Sequence, residues 1–270
     1  MNRHPKPRLL AIDLDGTLVG RDLIIRPRVR EAITAARAAG VAGCIVTGRM
    51  FRAALPYARE LEFEQPIICY QGAAIVDPST DEVLQHLALE NALVLEISAQ
   101  VLKDGMHLQL YANDQFYVQA ENQFSKLYAQ LSAVRPIHVP SLLEKFRFSD
   151  ATKAVVIDDP QRAEVYAQRL QSLFGSRAYI TRSYPEFVEI LNRKVDKGEG
   201  LKFVIDQMGI DRSRVVAIGD SWNDAPLLKA AGFGIAMASA PPELLAIADA
   251  VVPDVAHDGV ADAIENYVLA

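Results

Sequence analysis

A chain of 270 residues, half of them apolar, holds enough sequence to bury one large core or two moderate ones. Its net charge of −6, with no basic stripe interleaved with aromatics, excludes an ordinary nucleic-acid binder. No run approaches the roughly 18 apolar residues of a membrane span.

The basic start, Met1 to Arg8, is like the first part of a signal segment, but the apolar run after it is too short for one. That run, Leu9-Leu10-Ala11-Ile12, reads as a buried strand stopping at two carboxylates, Asp13 and Asp15, and then at Gly16. Alternation puts Asp13 and Asp15 on the same side of an extended chain. Two anions so close call for a divalent cation, a proton on one carboxyl, or both. One ionised nucleophile beside one protonated acid suits phosphoryl transfer through an aspartyl-phosphate. An Asp-Gly turn after a strand explains this run equally well when it is taken alone.

Next comes helical spacing over Pro27–Gly40, then a strand over Val41–Val46 that ends at Thr47-Gly48-Arg49. Met50–Leu61 reads as a helix interrupted near Pro56, followed by a strand over Pro66–Tyr70. Buried strands alternating with helices predict a parallel sheet with right-handed crossovers. Between about Val83 and Ile190 the style changes to two-faced strands, such as Met106–Tyr111 and Gln115–Gln119, joined by a turn at Asn113 and Asp114. Further strands are expected at Thr152–Ile157 and Phe187–Leu191, with helices around Leu93–Leu102, Asn122–Leu131 and Arg162–Phe174. The parallel style returns with a helix over Lys197–Met208 and a strand over Val215–Gly219. The expected fold is α/β. A Rossmann-like core of residues 1–84 and 190–270 carries an inserted α+β module of residues 85–189.

Three further stations stand at strand ends or helix starts. Asp220, Asn223 and Asp224 follow the Val215–Gly219 strand with i, i+3, i+4 spacing, so a helix beginning there would put them on one face. An N-cap explains one of them, not three. Thr47 and Gly48 offer a hydroxyl and free N–H groups at a helix start, which is a ready anion site and also an ordinary cap. Lys197 opens its helix where the dipole disfavours a cation, and this points to an anionic ligand or to a solvated surface lysine. Ligands of open α/β sheets sit at the carboxyl ends of strands, and there these residues converge.

The Asp13–Thr17 run, Thr47-Gly48-Arg49, Lys197-Gly198, Gly219-Asp220-x-x-Asn223-Asp224 and His257–Ala261 together resemble the haloacid dehalogenase superfamily of phosphohydrolases. The insertion is similar to the type IIB cap of its Cof-like branch, where specificity resides. The resemblance implies Asp13 as nucleophile and Asp15 as general acid/base. It places Mg²⁺ on the Asp13 carboxylate, the Asp15 backbone carbonyl and the Asp220 carboxylate. Thr47, Gly48, Lys197 and Asn223 would bind the phosphoryl group, with Asp224 behind the metal ligands. Gln71 departs from the pattern, which has Asn before Gly-Ala.

The implied activity is a Mg²⁺-dependent phosphatase acting on a small phosphorylated metabolite, sugar phosphates first. Alternatives are a phosphomutase or phosphotransferase using the same intermediate, and a receiver-like phospho-aspartate switch. The switch has no need of Asp15. Neither nucleic acid nor membrane is expected as a partner, and the expected state is a cytoplasmic monomer or weak homodimer. The free thiols Cys44 and Cys69, in apolar runs, suit that reducing compartment. Tyr111, Asn113, Phe116, Tyr117, Tyr184 and Glu186 are candidate pocket residues, or packing residues of the insertion. Arg193 and Lys194 either flank a second anion or face solvent. Trp222, the sole tryptophan, is expected to pack into the core as large aromatics do. Its alternative place is the mouth of the cleft.

Overall fold

The computed structural model describes residues 5–270, so most of the basic leader, through His4, lies outside the described residues. The chain forms two compact units, one running up to Leu84 and resuming over Asp196–Ala270, the other Gln85–Val195. The boundary expected between 189 and 190 falls inside a strand, and the second unit continues to Val195.

The first unit opens with β1 (Leu9–Asp13), α1 (Pro27–Ala38), β2 (Ala42–Val46), α2 (Phe51–Glu60), β3 (Ile67–Cys69), β4 (Ala74–Val76) and β5 (Val83–His86), the last crossing the boundary. Pro27 starts α1, where its missing N–H costs nothing, and the chain leaves the helix at Gly40, whose φ is +83°. Pro56 does not split α2, which runs through it as one helix.

The second unit contains α3 (Asn91–Lys103), β6 (His107–Ala112), β7 (Gln115–Val118), α4 (Gln123–Ser132), β8 (Ile137–His138), α5 (Leu142–Lys145), β9 (Lys153–Ile157), α6 (Pro160–Phe174), β10 (Ala178–Arg182) and β11 (Phe187–Asn192). Its sheet has the order β10-β11-β9-β6-β7-β8 and is antiparallel except for β7 beside β8. Asn113 and Asp114, each at φ +52°, make the two-residue turn between β6 and β7, a conformation these residue types tolerate. One sheet face, with Leu108, Leu110, Val156 and Ile190, packs against residues of α3 and α6. Tyr117 belongs to that apolar core, edge-on to Phe146. Tyr111 and Phe116 are fully buried against Tyr128 of α4. A buried ion pair joins Lys153 Nζ to Glu189 Oε2 at 2.7 Å, and no sequence pattern marks it.

The first unit resumes with α7 (Lys197–Met208), β12 (Val215–Gly219), α8 (Ala225–Ala230), β13 (Phe233–Met237) and β14 (Ala250–Val252). Among the described residues its sheet has eight strands in the order β14-β13-β12-β1-β2-β3-β4-β5. β13, β12, β1, β2 and β3 run parallel, while β4 turns back antiparallel to β3. Leu9, Ala11, Cys44, Val46 and Ala217 face the apolar side of α7 and α8, led by Leu201, Val204 and Leu227. Both cysteines are buried thiols outside any disulfide, and burial pushes the Cys44 thiol up to about 12. Among the described residues no helix is long and apolar enough to cross a membrane.

Candidate active site

Ile12 of β1 lies beside Ile45 of β2 and Ile218 of β12, so these three parallel strands end nearly flush. Asp13, Thr47 and Asp220 therefore leave the sheet at one edge. β1 is flanked by the next strand in sequence and by one from the far end of the chain, which is the switch in strand order where α/β sheets bind ligands.

Asp13 is buried at the last position of β1. Its Oδ1 accepts from Lys197 Nζ at 2.5 Å, and the same ammonium donates to Asp224 Oδ1 at 2.5 Å. Lys197 is fully buried at the first position of α7, whose cap Asp196 accepts from Glu199 N at 2.8 Å. The lysine thus extends away from its helix end to two carboxylates, which outweigh the unfavourable dipole. Burial alone would lower its pKa, but Asp13 and Asp224 carry it above the ordinary value. The solvated alternative is excluded.

Asp224 has both oxygens engaged. Its Oδ2 accepts from the backbone N–H groups of Asp220 at 3.0 Å and Ser221 at 2.9 Å. The expected helix does not start at Asp220. A 3₁₀ turn over Trp222–Asp224 intervenes, and α8 begins at Ala225 with Pro226 in its first turn. Asp220 accepts from Thr17 Oγ1 at 3.1 Å. At Gly16 the φ is +86°, and a Cβ there would stand 2.2 Å from Asp220 Oδ2, so the turn and the close approach both require glycine.

Carboxylate oxygens of Asp13, Asp220 and Asp224 lie within 4.8 Å of one another. Burial, and then the charge of Asp224, push the Asp220 carboxyl up to about 7 and Asp13 well above its ordinary value. Lys197 lowers both without offsetting the rise. The cluster is short of positive charge, and its donors are hard oxygens. Asp13 Oδ2 receives no hydrogen bond from the described residues. These features fit a small divalent cation held by Asp13 and Asp220, with Asp224 occupied in positioning the lysine and the loop.

Thr47 is buried, and its Oγ1 accepts from Arg49 N at 3.1 Å. Asn223 is buried and donates from Nδ2 to Gln71 Oε1 at 3.0 Å. Asp15 takes a partner that sequence reasoning missed. Arg49 Nε donates to Asp15 Oδ2 at 2.8 Å and Arg49 NH2 to Oδ1 at 2.5 Å, a fork closed on both carboxylate oxygens. Arg49 stands in the Thr47-Gly48-Arg49 run, but 34 residues separate it from Asp15 and only the β1–β2 pairing reveals the contact. Trp222 is 41% exposed, which corrects the expectation of a core position. The inward positions of its short turn are filled by Asn223 and Asp224, so the indole projects outward.

The model of the haloacid dehalogenase-like hydrolase family matches residues 10–264. The chain belongs to this family. It is 30% identical to the YxeH protein of Bacillus subtilis over 97% of this chain and 99% of that one. It is 26% identical to the pyridoxal phosphate phosphatase YbhA of Escherichia coli, again over 97% and 99%. A haloacid dehalogenase-like hydrolase of known structure from Bacteroides thetaiotaomicron superposes with a TM-score of 0.85 at 26% identity, covering 96% of this chain and 99% of that one. In fold alone, the subclass IIB sugar phosphatase BT4131 matches with a TM-score of 0.84 at 23% identity, covering 97% and 100%. The family's core with an inserted cap is the architecture seen here.

Proposed function

We propose that this family member is a Mg²⁺-dependent phosphomonoesterase working through an aspartyl-phosphate on Asp13, with a small phosphorylated metabolite as substrate. The observation that carries the reading is the state of Asp13. It is a buried carboxylate at the end of β1 with one oxygen held by Lys197 and the other open to bond phosphorus. Phosphatase names among relatives that align over nearly their whole length, YbhA included, support the reaction class.

The steps follow from the residues. Asp13 Oδ2 attacks phosphorus, the bond to the ester oxygen breaks, and Asp15 gives that oxygen its proton. Water then attacks the phosphorus of the aspartyl-phosphate as Asp15 takes its proton. The P–Oδ2 bond breaks, and inorganic phosphate leaves a regenerated Asp13. Both oxygens of Asp15 are held by Arg49, so carrying a proton requires at least one of those bonds to open. Lys197, Thr47, Gly48 and Asn223 receive the non-bridging oxygens. Mg²⁺, held by the Asp13 and Asp220 carboxylates and the Asp15 carbonyl, would screen the phosphate dianion from its anionic attacker.

The test is phosphate release from a panel of phosphorylated sugars, nucleotides and vitamin precursors. Turnover should need Mg²⁺, stop on chelation, and be absent in Asp13→Asn. Full activity in excess chelator would contradict the metal assignment.

A further inference from the structure

After β3 the chain passes through three consecutive residues of positive φ, Tyr70 at +50°, Gln71 at +60° and Gly72 at +99°. Two side-chain-bearing residues in succession rarely adopt this backbone, and it persists only where the surroundings impose it. Here they do. Tyr70 N donates to Arg49 O at 2.9 Å and Gln71 N to Thr47 O at 3.0 Å. At Gly72 a Cβ would stand 2.2 Å from the carbonyl oxygen of Asp196, the residue before Lys197. The fully buried Gln71 side chain reaches in a third direction, to Asn223. One short loop thus touches three of the four stations of the site.

The Asn223 carboxamide is held at one end only. Its Nδ2 donates to Gln71 Oε1, while its buried Oδ1 has no partner. A buried amide oxygen without a donor is costly, so this arrangement of the pair is incomplete. The two ends of an amide have the same shape, and which one faces outward is decided by the partner of the other end. Gln71 is that partner, and its own carboxamide can offer an oxygen or an NH₂. A phosphoryl oxygen only accepts, so receiving one requires Gln71 to offer its NH₂ to Asn223 Oδ1, which turns the Asn223 NH₂ toward the site.

We propose that Gln71 is a positioning residue: its carboxamide sets the orientation of Asn223 and so the end that Asn223 presents to the bound phosphoryl group, while its backbone ties that setting to the Thr47–Arg49 loop. The ligand's identity rests on the phosphatase reading above. An asparagine at this position would be one carbon shorter and would leave a gap to Asn223.

The experiment compares wild type, Gln71→Met, Asn223→Ala and the double variant. Its readouts are inhibition by inorganic phosphate and the KM and kcat for a phosphomonoester. Methionine keeps the length and the backbone conformation but removes the amide. Gln71→Met should raise the phosphate inhibition constant and KM by about tenfold, the loss of roughly one hydrogen bond, with a smaller fall in kcat. The double variant should be no worse than Asn223→Ala, since Gln71 acts through Asn223. If Gln71→Met does not fold, Gln71→Asn serves the same comparison. Unchanged phosphate inhibition and KM in the Gln71 variant, or losses that add in full in the double variant, would overturn the assignment. A wild type that neither hydrolyses phosphomonoesters nor binds phosphate would overturn the phosphatase reading as well.

Discussion

The Lys197 ammonium lies 2.5 Å from Asp13 Oδ1, with the lysine fully buried and the aspartate nearly so. The contact joins a helix start to a strand end 184 residues away in sequence, and it sets which Asp13 oxygen remains open. Removing one partner of a buried pair leaves the other charge uncompensated, at a cost of about 3–5 kcal/mol. Lys197→Ala should therefore lower the thermal midpoint and reduce kcat by about 10²–10³-fold, as loss of a preorganised charge does. Differential scanning fluorimetry and steady-state rates check the two halves. A near-native rate would show that Lys197 is structural only.

Arg49 and Asp15 should behave as a unit. Opening the fork leaves Asp15 without its orientation, so Arg49→Gln should lower kcat by about tenfold or more. Asp15→Asn should lower it further with poor leaving groups and slow dephosphorylation. Because the two side chains share one contact, the double variant should match Asp15→Asn alone. Additive losses would separate Arg49 from Asp15.

The second unit carries a titration of its own. Burial holds the His107 imidazole down at about 4, with its Nδ1 3.0 Å from Asn122 Nδ2 and its Nε2 3.1 Å from Gln109 Nε2. The unfolded chain takes up a proton near pH 6.5, where the folded chain does not. Stability from this group is therefore complete above about 6.5 and is lost as pH falls toward 4, by at most about 3 kcal/mol. Denaturant midpoints of wild type and His107→Gln should converge on acidification across that window. A difference independent of pH would remove His107 from the acid response.

Legibility in the sequence followed the physics of each element. β1, β12 and α7 were readable because continuous apolar runs and helical spacing are strong local signals. Lys197 was readable as a conflict with its own helix dipole. β4, β5 and β10 carry no such signal. β4 has only three residues, and β5, mostly exposed, together with β10 mixes polar and apolar residues and lies at a sheet edge, where burial imposes no pattern. The Arg49–Asp15 fork and the Lys153–Glu189 pair depend on which strands become neighbours, which single-strand patterns do not encode. Side-chain size alone puts Trp222 in the core, but the short turn that holds it aims the indole outward.

The central claim is that phosphorus bonds to Asp13. Its most direct test is rapid quenching of the Asp15→Asn variant during turnover of a phosphomonoester with a good leaving group, followed by mass spectrometry of the peptide that contains residues 9–20. That peptide should gain the mass of one phosphoryl group at Asp13, labile to hydroxylamine, and the gain should be absent from Asp13→Asn. Turnover with no such adduct, or with the phosphoryl group on another residue, would contradict the account.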